Sequence, residues 1–340
     1  MSYETIDKTI EILDKLTNEY ELVMIEVFGG EALMAFDKFK YLIEKIKEKQ
    51  YTNIYLTLFT NCILLNNDEI STYLVENQNY IKGMCLSLDG GEKSHNSTRI
   101  YPNGEGSFKD VISGIKNYAR IKGVDIKNFV PSFTVSPDNQ KYLLESIIEL
   151  KELGFKRVAA KPVRDGVWTD EALREYKEIV LKLKKWFIDN IESEFDMSIL
   201  TLPVQIEQNK YRPRYCGGGR DLYSITPTGE IYPCPRFYFN KSPYKLGSIF
   251  EKEYFTNKSF QILFNKYNRT NFVNCSNCDE FKNKHCLGMC LAAAYEDSGK
   301  LFTTIPNVCE IIKFNYKIAK EVESELKNNI HYQNLLKNYY

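Results

Sequence analysis

Apolar residues alternate between helical and strand spacing from residue 4 to about 190. Ile6, Ile10 and Leu13 recur at helical spacing, and the apolar run 23–28 after them ends at two glycines, as a buried strand does at a turn. A helical pattern precedes each predicted strand, and the strands cover 23–28, 53–59, 84–88, 129–135 and 156–163. Strands alternating with helices of this length predict βαβ units and a parallel sheet or barrel.

The order of these elements predicts an α/β fold in two parts. The chain opens with a helix, whereas a parallel barrel normally opens with a strand, so we predict a partial barrel that lacks its first strand. A long amphipathic helix with Thr169 as its cap is the last strongly periodic segment, and Gly, Pro and Cys punctuate the chain from residue 216. We therefore predict one domain over residues 1–200 and a Cys-rich domain over 201–340 that ends in a C-terminal helix.

Composition excludes several classes of protein. The 340 residues are 43% hydrophobic and 26% charged, which is typical of a globular chain and not of a disordered one. Because 45 basic residues balance 45 acidic ones, no global field attracts nucleic acid or an anionic membrane, and we expect neither partner. No apolar stretch approaches the roughly 20 residues of a bilayer span. The N-terminus does not resemble a signal peptide, so we expect a cytoplasmic protein.

Cysteine placement points to metal chemistry. Of nine cysteines, only Cys62 and Cys85 lie in the first 215 residues, and we predict that both pack in the core or at its rim. The other seven crowd together: Cys216, Cys234, Cys275, Cys278, Cys286, Cys290 and Cys309. Such a cluster in a cytosolic chain favours metal over disulfides. Seven thiolates are too many for one tetrahedral zinc and suit two iron–sulfur clusters, with one or two zinc sites as the alternative.

Three motifs follow predicted strand ends, where parallel α/β folds bind ligands. The first is GGEALM (29–34), where Glu31 can accept a hydrogen bond from an ammonium group. The second is FTNCILL (59–65), which taken alone reads as an Asn-capped turn. The third is SLDGGEKSHNSTR (87–99), which offers a hydroxyl, a carboxylate and a guanidinium.

The three motifs in this order resemble the radical S-adenosylmethionine (SAM) superfamily, over about residues 1–165. The resemblance implies a (β/α)6 barrel, here without its first strand. It also implies that Gly29, Gly30 and Glu31 bind the amino group of the methionine moiety, that Ser87 contacts the ribose, and that Arg99 reaches the carboxylate region. The run NGEGSF (103–108) is similar to the helix-opening G-x-G-S/T-F of that family.

The Cys-rich region resembles the SPASM domain, which carries auxiliary clusters in many radical SAM enzymes. ITPTGEIYPC (225–234) predicts a hairpin that brings Cys234 beside Cys216. A C-x2-C-x7-C-x3-C run (275–290) and Cys309 follow, with seven residues where the family usually has five. The resemblance implies two auxiliary 4Fe–4S clusters, the first held by Cys216, Cys234 and Cys290 and the second by Cys275, Cys278, Cys286 and Cys309.

The first ligand set is one cysteine short, because residues 209–215 contain none. The resemblance therefore implies an open iron site that could take a substrate thiolate, a water or a neighbouring side chain.

The C-x3-C-x2-C motif, which in this superfamily holds the SAM-cleaving cluster, does not occur in the sequence. The chain as written is therefore expected to bind auxiliary clusters without generating the radical. A truncated sequence is the simplest explanation, and a non-enzymatic homologue that binds peptide or carries electrons is the alternative.

Within this group, the resemblance implies modification of a ribosomally made peptide or protein, which is often Cys-rich, with flavodoxin or ferredoxin as electron donor. Sulfatase-maturating enzymes, which form formylglycine, are the alternative. They have an aspartate base directly after the hairpin cysteine, where this chain has Pro235, which cannot take a proton. No catalytic residue is identified: Asp89, His95 and Arg236 are the candidates, and a structural or binding role is the favoured interpretation of each.

Overall fold

A computed structural model describes residues 1–201, 216–272, 274–283, 286 and 288–337, without the side chain of Arg269. Its strands are β1 Val23–Val27, β2 Ile54–Thr60, β3 Ile81–Ser87, β4 Pro131–Val135, β5 Arg157–Pro162, β6 Asp196–Met197, β7 Ser224–Ile225, β8 Glu230–Tyr232 and β9 Gly247–Ser248. Its helices are α1 Tyr3–Glu19, α2 Phe36–Lys49, α3 Asp68–Glu76, α4 Glu92–Thr98, α5 Phe108–Lys122, α6 Leu143–Glu152, α7 Asp170–Asp189, α8 Pro235–Phe239, α9 Lys258–Lys266, α10 Asp279–Lys282, α11 Leu291–Ser298, α12 Pro306–Leu326 and α13 Ile330–Lys337.

Strands β1 to β6 form one sheet in chain order, and every neighbouring pair is parallel. The predicted parallel α/β architecture is confirmed. Strand β6 was not predicted, because two residues are too few to show alternation. It pairs Arg157 with Asp196 in register, and the Arg157 Nε lies 2.8 Å from the Asp196 carboxylate.

The two faces of the sheet differ. In β2, Ile54, Leu56 and Leu58 are buried against the helices, whereas Tyr55, Thr57 and Phe59 between them are only half-buried. On β1 the face opposite the helices exposes Met24 and Glu26. This second face is thus partly open and carries polar groups among its apolar ones.

The Cys-rich region packs against the parallel α/β part of the chain. The predicted hairpin is confirmed: β7 and β8 are antiparallel with Ser224 opposite Tyr232, and β9 extends them to three strands. Helix α12 returns to α7, where the buried Tyr176 hydroxyl and Asn315 amide are 2.8 Å apart. The domain boundary after residue 200 borders residues 202–215, which lie outside the described part, and stays a prediction.

None of the described helices combines the length and the apolar character needed to cross a bilayer.

Helix α5 lies against the turn after β2. A Cβ built on Gly114 of α5 would stand 2.1 Å from the carbonyl oxygen of Cys62. Backbone atoms cannot move aside as the end of a flexible side chain can, so this contact requires glycine although glycine weakens a helix.

Gly114→Ala is therefore expected to lower the free energy of unfolding by about 1–3 kcal/mol, as overpacking does, although alanine is the better helix former. Urea unfolding measures the loss, with the exposed Ser113→Ala on the same helix as control. A Gly114→Ala protein as stable as wild type would refute the close approach.

Candidate functional site

Glu31 joins the ends of the first two strands. It stands after β1, and its carboxylate accepts hydrogen bonds from the backbone N–H of Leu33 at 3.1 Å, the Thr60 hydroxyl at 3.1 Å and the Asn61 N–H at 2.6 Å. An ionised carboxylate has about four lone-pair sites, so three donors fix its orientation and leave roughly one site for a ligand.

Gly29 and Gly30 leave space beside this carboxylate. Both are exposed, and a Cβ built on either would find no heavy atom within 4 Å outside the adjoining residues. Open backbone next to an oriented carboxylate fits a ligand carrying an ammonium group, as the methionine end of SAM does.

The support of Glu31 by Thr60 and Asn61 was not predicted from the sequence. The Asn-capped turn was predicted, and it is present: Asn61 Oδ1 accepts from the Ile63 N–H at 3.1 Å. The only feature of the sequence that could have indicated this support of Glu31 is that FTN (59–61) directly follows a predicted strand.

Ser87 and Arg99 both belong to the segment at the end of β3. Ser87 is the last residue of β3 and pairs with Ser132 of β4. The Arg99 Nε lies 2.5 Å from the Asp89 carboxylate, which also accepts from the Thr134 N–H at 2.8 Å. Asp89 is 5% exposed, so this candidate residue is structural: it orients Arg99, whose side chain stays 34% exposed at the rim.

Buried His95 holds the segment after β3 in place through hydrogen bonds. Its Nδ1 accepts the Asp89 N–H at 3.2 Å, so in the neutral ring Nε2 carries the proton and donates to Ser107 Oγ at 3.0 Å. Ser107 Oγ donates in turn to the Arg99 carbonyl at 3.0 Å. Burial, and then the Arg99 charge, lower the pKa of His95 to about 4. His95 is therefore a neutral positioning residue.

The buried Cys62 lies where the three motifs converge. Its thiol donates to the Thr60 carbonyl at 3.6 Å and interacts electrostatically with Glu31 and Arg99. Burial, and then Glu31, raise the pKa of this thiol, so it stays protonated. Cys62 packs in the core as predicted, and Cys85 is half-buried on the open face of the sheet with a hydrogen bond to Ser132.

Three of the C-terminal cysteines come together beside the hairpin. The Cys234 thiol interacts with Cys290 and Cys216, and burial, more than these neighbours, raises its pKa to about 11. Cys216 opens a run of three glycines, and the Gly219 N–H donates to the Pro233 carbonyl at 3.0 Å. That bond places Cys216 next to Cys234.

The other four cysteines form a second group. Cys309 of α12 interacts with Cys286, Cys275 and Cys278, and burial followed by these thiols raises its pKa to about 12. All nine cysteines are described, and none forms a disulfide. Among the described residues no three His, Cys, Asp or Glu side chains meet the geometry for one metal ion.

Soft sulfur donors in groups of three and four fit the chemistry of iron–sulfur clusters. The ligand sets themselves remain predictions, and residues 209–215, beside the first set, lie outside the described residues.

Arg236 links the hairpin region to the rim of the sheet. Its guanidinium binds Glu296 of α11 and lies 2.9 Å from the Asp165 carboxylate, in the loop after β5. The rings of Phe28, after β1, and Phe239, in α8, are 6.1 Å apart. Helix α8, which follows Cys234 of the first cysteine group, thus lies beside the ends of β1 and β5.

The free energy of unfolding is expected to fall in acid because of His95. The unfolded histidine takes up a proton near its ordinary pKa of 6.5, whereas the native one resists down to about 4. The contribution of neutral His95 to the free energy of unfolding is therefore intact above pH 6.5 and is lost as the pH falls towards 4. The loss amounts to up to about 3 kcal/mol, at 1.36 kcal/mol per pKa unit.

Urea unfolding at pH 7.5 and 4.5 measures this loss, which should be smaller in His95→Gln than in wild type. Ser113→Ala, an exposed change that removes no titratable group, serves as control and should keep the wild-type pH dependence. Equal pH dependence in wild type and His95→Gln would refute a neutral buried His95.

Comparison with known proteins agrees with this geometry. The SPASM iron–sulfur cluster-binding domain matches residues 216–279. A cysteine-type anaerobic sulfatase-maturating enzyme of Clostridium novyi (strain NT) is 27% identical over 295 residues, which cover 81% of this chain and 73% of that protein.

Two solved structures share the fold. Hexahistidine-tagged anSMEcpe with bound AdoMet superposes with a TM-score of 0.73 at 19% identity, over 100% of this chain and 90% of that one. Native anSMEcpe with bound AdoMet and the Kp18Cys peptide gives 0.72 at 20% identity, over 97% and 91%. The resemblance of this chain to radical SAM/SPASM proteins, in fold and in its SPASM domain, is thereby confirmed.

Proposed function

We propose that this chain is a radical SAM/SPASM protein of the kind that modifies ribosomally made peptides or proteins, and that it holds two auxiliary 4Fe–4S clusters. The observation that carries the proposal is the grouping of seven cysteines into a set of three around Cys234 and a set of four around Cys309. Its proposed setting is the cytoplasm, with an electron donor such as flavodoxin or ferredoxin.

In this proposal the strand ends bind SAM. Glu31, held by Thr60 and Asn61, accepts from the amino group, and Arg99, held by Asp89, faces the carboxylate region. SAM supplies a radical only when a 4Fe–4S cluster cleaves it, and the sequence contains no C-x3-C-x2-C. The role proposed for these residues is therefore binding and orientation.

The cysteine groups are proposed to hold the auxiliary clusters, the first through Cys216, Cys234 and Cys290 and the second through Cys275, Cys278, Cys286 and Cys309. Three thiolates leave one iron of the first cluster for another ligand. A cysteine of the substrate peptide is the ligand we propose, because thiolate is the ligand these clusters prefer.

Sulfatase maturation is the second candidate, and the similarity to the Clostridium novyi protein favours it. Pro235 stands against it, because the residue after Cys234 cannot act as a base here. Formation of formylglycine in a sulfatase by the cluster-loaded protein is the result that would establish this alternative.

Anaerobic reconstitution tests the cluster assignment. Two 4Fe–4S clusters give about eight irons and eight sulfides per chain. Cys286 and Cys290 are four residues apart but are assigned to different clusters, so Cys286→Ser should disturb only the second cluster and Cys290→Ser only the first. Iron and sulfide analysis with electron paramagnetic resonance (EPR) of the reduced protein distinguishes the two losses.

Cys85→Ser is the matched control, since Cys85 lies on the sheet, and should retain full iron. Stoichiometric zinc without sulfide would overturn the cluster assignment and favour a zinc module. The same EPR signal lost in Cys286→Ser and Cys290→Ser would refute the division into two sets.

Substrate ligation is tested with the Kp18Cys peptide and a version with serine in place of its cysteine. Added to the reconstituted chain, the cysteine peptide should change the EPR spectrum of the first cluster, because a thiolate replaces a weaker ligand, and the serine peptide should not. Identical spectra with both peptides would contradict thiolate ligation at the open site.

A further inference from the structure

A cation paired with a glutamate lies beside each group of cysteines. At the first group the cation is Arg236, two residues after Cys234, and its partner is Glu296 of α11, the helix that begins directly after Cys290. The ion pair therefore connects the helices that follow two cysteines of the same set.

The Arg236 guanidinium interacts electrostatically with Cys290 as well as with carboxylates. Burial disfavours its charge, but Glu296, Cys290 and Asp165 together hold the pKa of the guanidinium above its usual range. The side chain is 33% exposed and that of Glu296 is 22% exposed, so solvent screens this pair only in part. The guanidinium is thus a lasting positive charge next to the first cysteine group.

At the second group the cation is Lys313, one helical turn after Cys309. Its Nζ lies 3.1 Å from Glu310, and the ammonium interacts with Cys278 and Cys309. Both side chains of this pair are nearly half exposed, at 45% and 46%, so water and salt screen it more strongly than the Arg236 pair.

Reduction adds one negative charge to an iron–sulfur cluster, so a nearby cation favours the reduced form and a nearby anion disfavours it. Net charge, hydrogen bonding and solvent exposure are among the factors that set such potentials. Coulomb interactions grow as screening by solvent decreases.

We propose that the Arg236–Glu296 pair sets the reduction potential of the first auxiliary cluster and the Lys313–Glu310 pair that of the second, with the larger effect at the first. The inference rests on the cluster assignment of the proposed function. Neither side chain is a ligand in that assignment, so both act on a cluster through space.

The experiment is a potentiometric titration of the reconstituted full-length chain, followed by EPR. Arg236→Met should lower the potential of one reduction step, and Glu296→Gln should raise the same step. Arg236→Lys, which keeps the charge, should stay close to wild type. Opposite shifts from two partners of one ion pair cannot arise from a general loosening of the site.

Lys313→Met and Glu310→Gln are the matched pair at the other cluster. They should shift the other step, down and up respectively, by less than the Arg236 variants do. Adding 0.5 M NaCl should reduce the Lys313→Met shift more than the Arg236→Met shift, because the lysine pair is more exposed.

Failure of the inference is distinguishable from failure of the proposed function. Too little iron for two clusters overturns the assignment on which both rest. With full iron, three results overturn the inference alone. The first is that no variant changes a reduction potential, and the second is that Arg236→Met and Glu296→Gln shift a potential in the same direction. The third is that Arg236→Met and Lys313→Met shift the potential of the same reduction step. If Arg236→Met does not retain iron, Glu296→Gln and Arg236→Lys decide the question.

Discussion

All neighbouring strands of the main sheet are parallel and follow chain order, and this constraint determines where the chemistry lies. Each of β1 to β3 ends at the same edge, so the residues after them become neighbours although they are up to about 60 positions apart in the chain. Glu31 shows the consequence most directly, since it stands after β1 and is held by two residues at the end of β2.

The rim is built in two layers. Exposed groups, such as the Arg99 side chain and the open faces of the glycines, are available to a ligand, and buried groups hold them in place. The chain of bonds from Asp89 through His95 and Ser107 back to Arg99 closes a ring around the loop after β3. The position of this loop therefore depends on several hydrogen bonds that share partners, and not on any one of them alone.

Much of this arrangement was predictable. Hydrophobic periodicity predicted five strands of the parallel sheet, and the hairpin before Cys234 followed from its Pro-Thr-Gly turn. What periodicity cannot show is contact between distant positions, which is why the support of Glu31 by Thr60 and the bonds of Arg236 to Asp165 and Glu296 were not foreseen. Strand β6 was too short to leave a pattern.

The bond between Asp165 and Arg236 joins a loop of the sheet rim to a charge beside the first cysteine group. If the proposed first cluster is present, a ligand that competes for the Asp165 carboxylate would leave the guanidinium less neutralised and would favour the reduced cluster. By thermodynamic reciprocity, reduction of that proposed cluster would then change the affinity for such a ligand by the same free energy. Under that proposal, the Asp165 carboxylate would couple ligand binding near the end of β5 to the redox state of the first cluster.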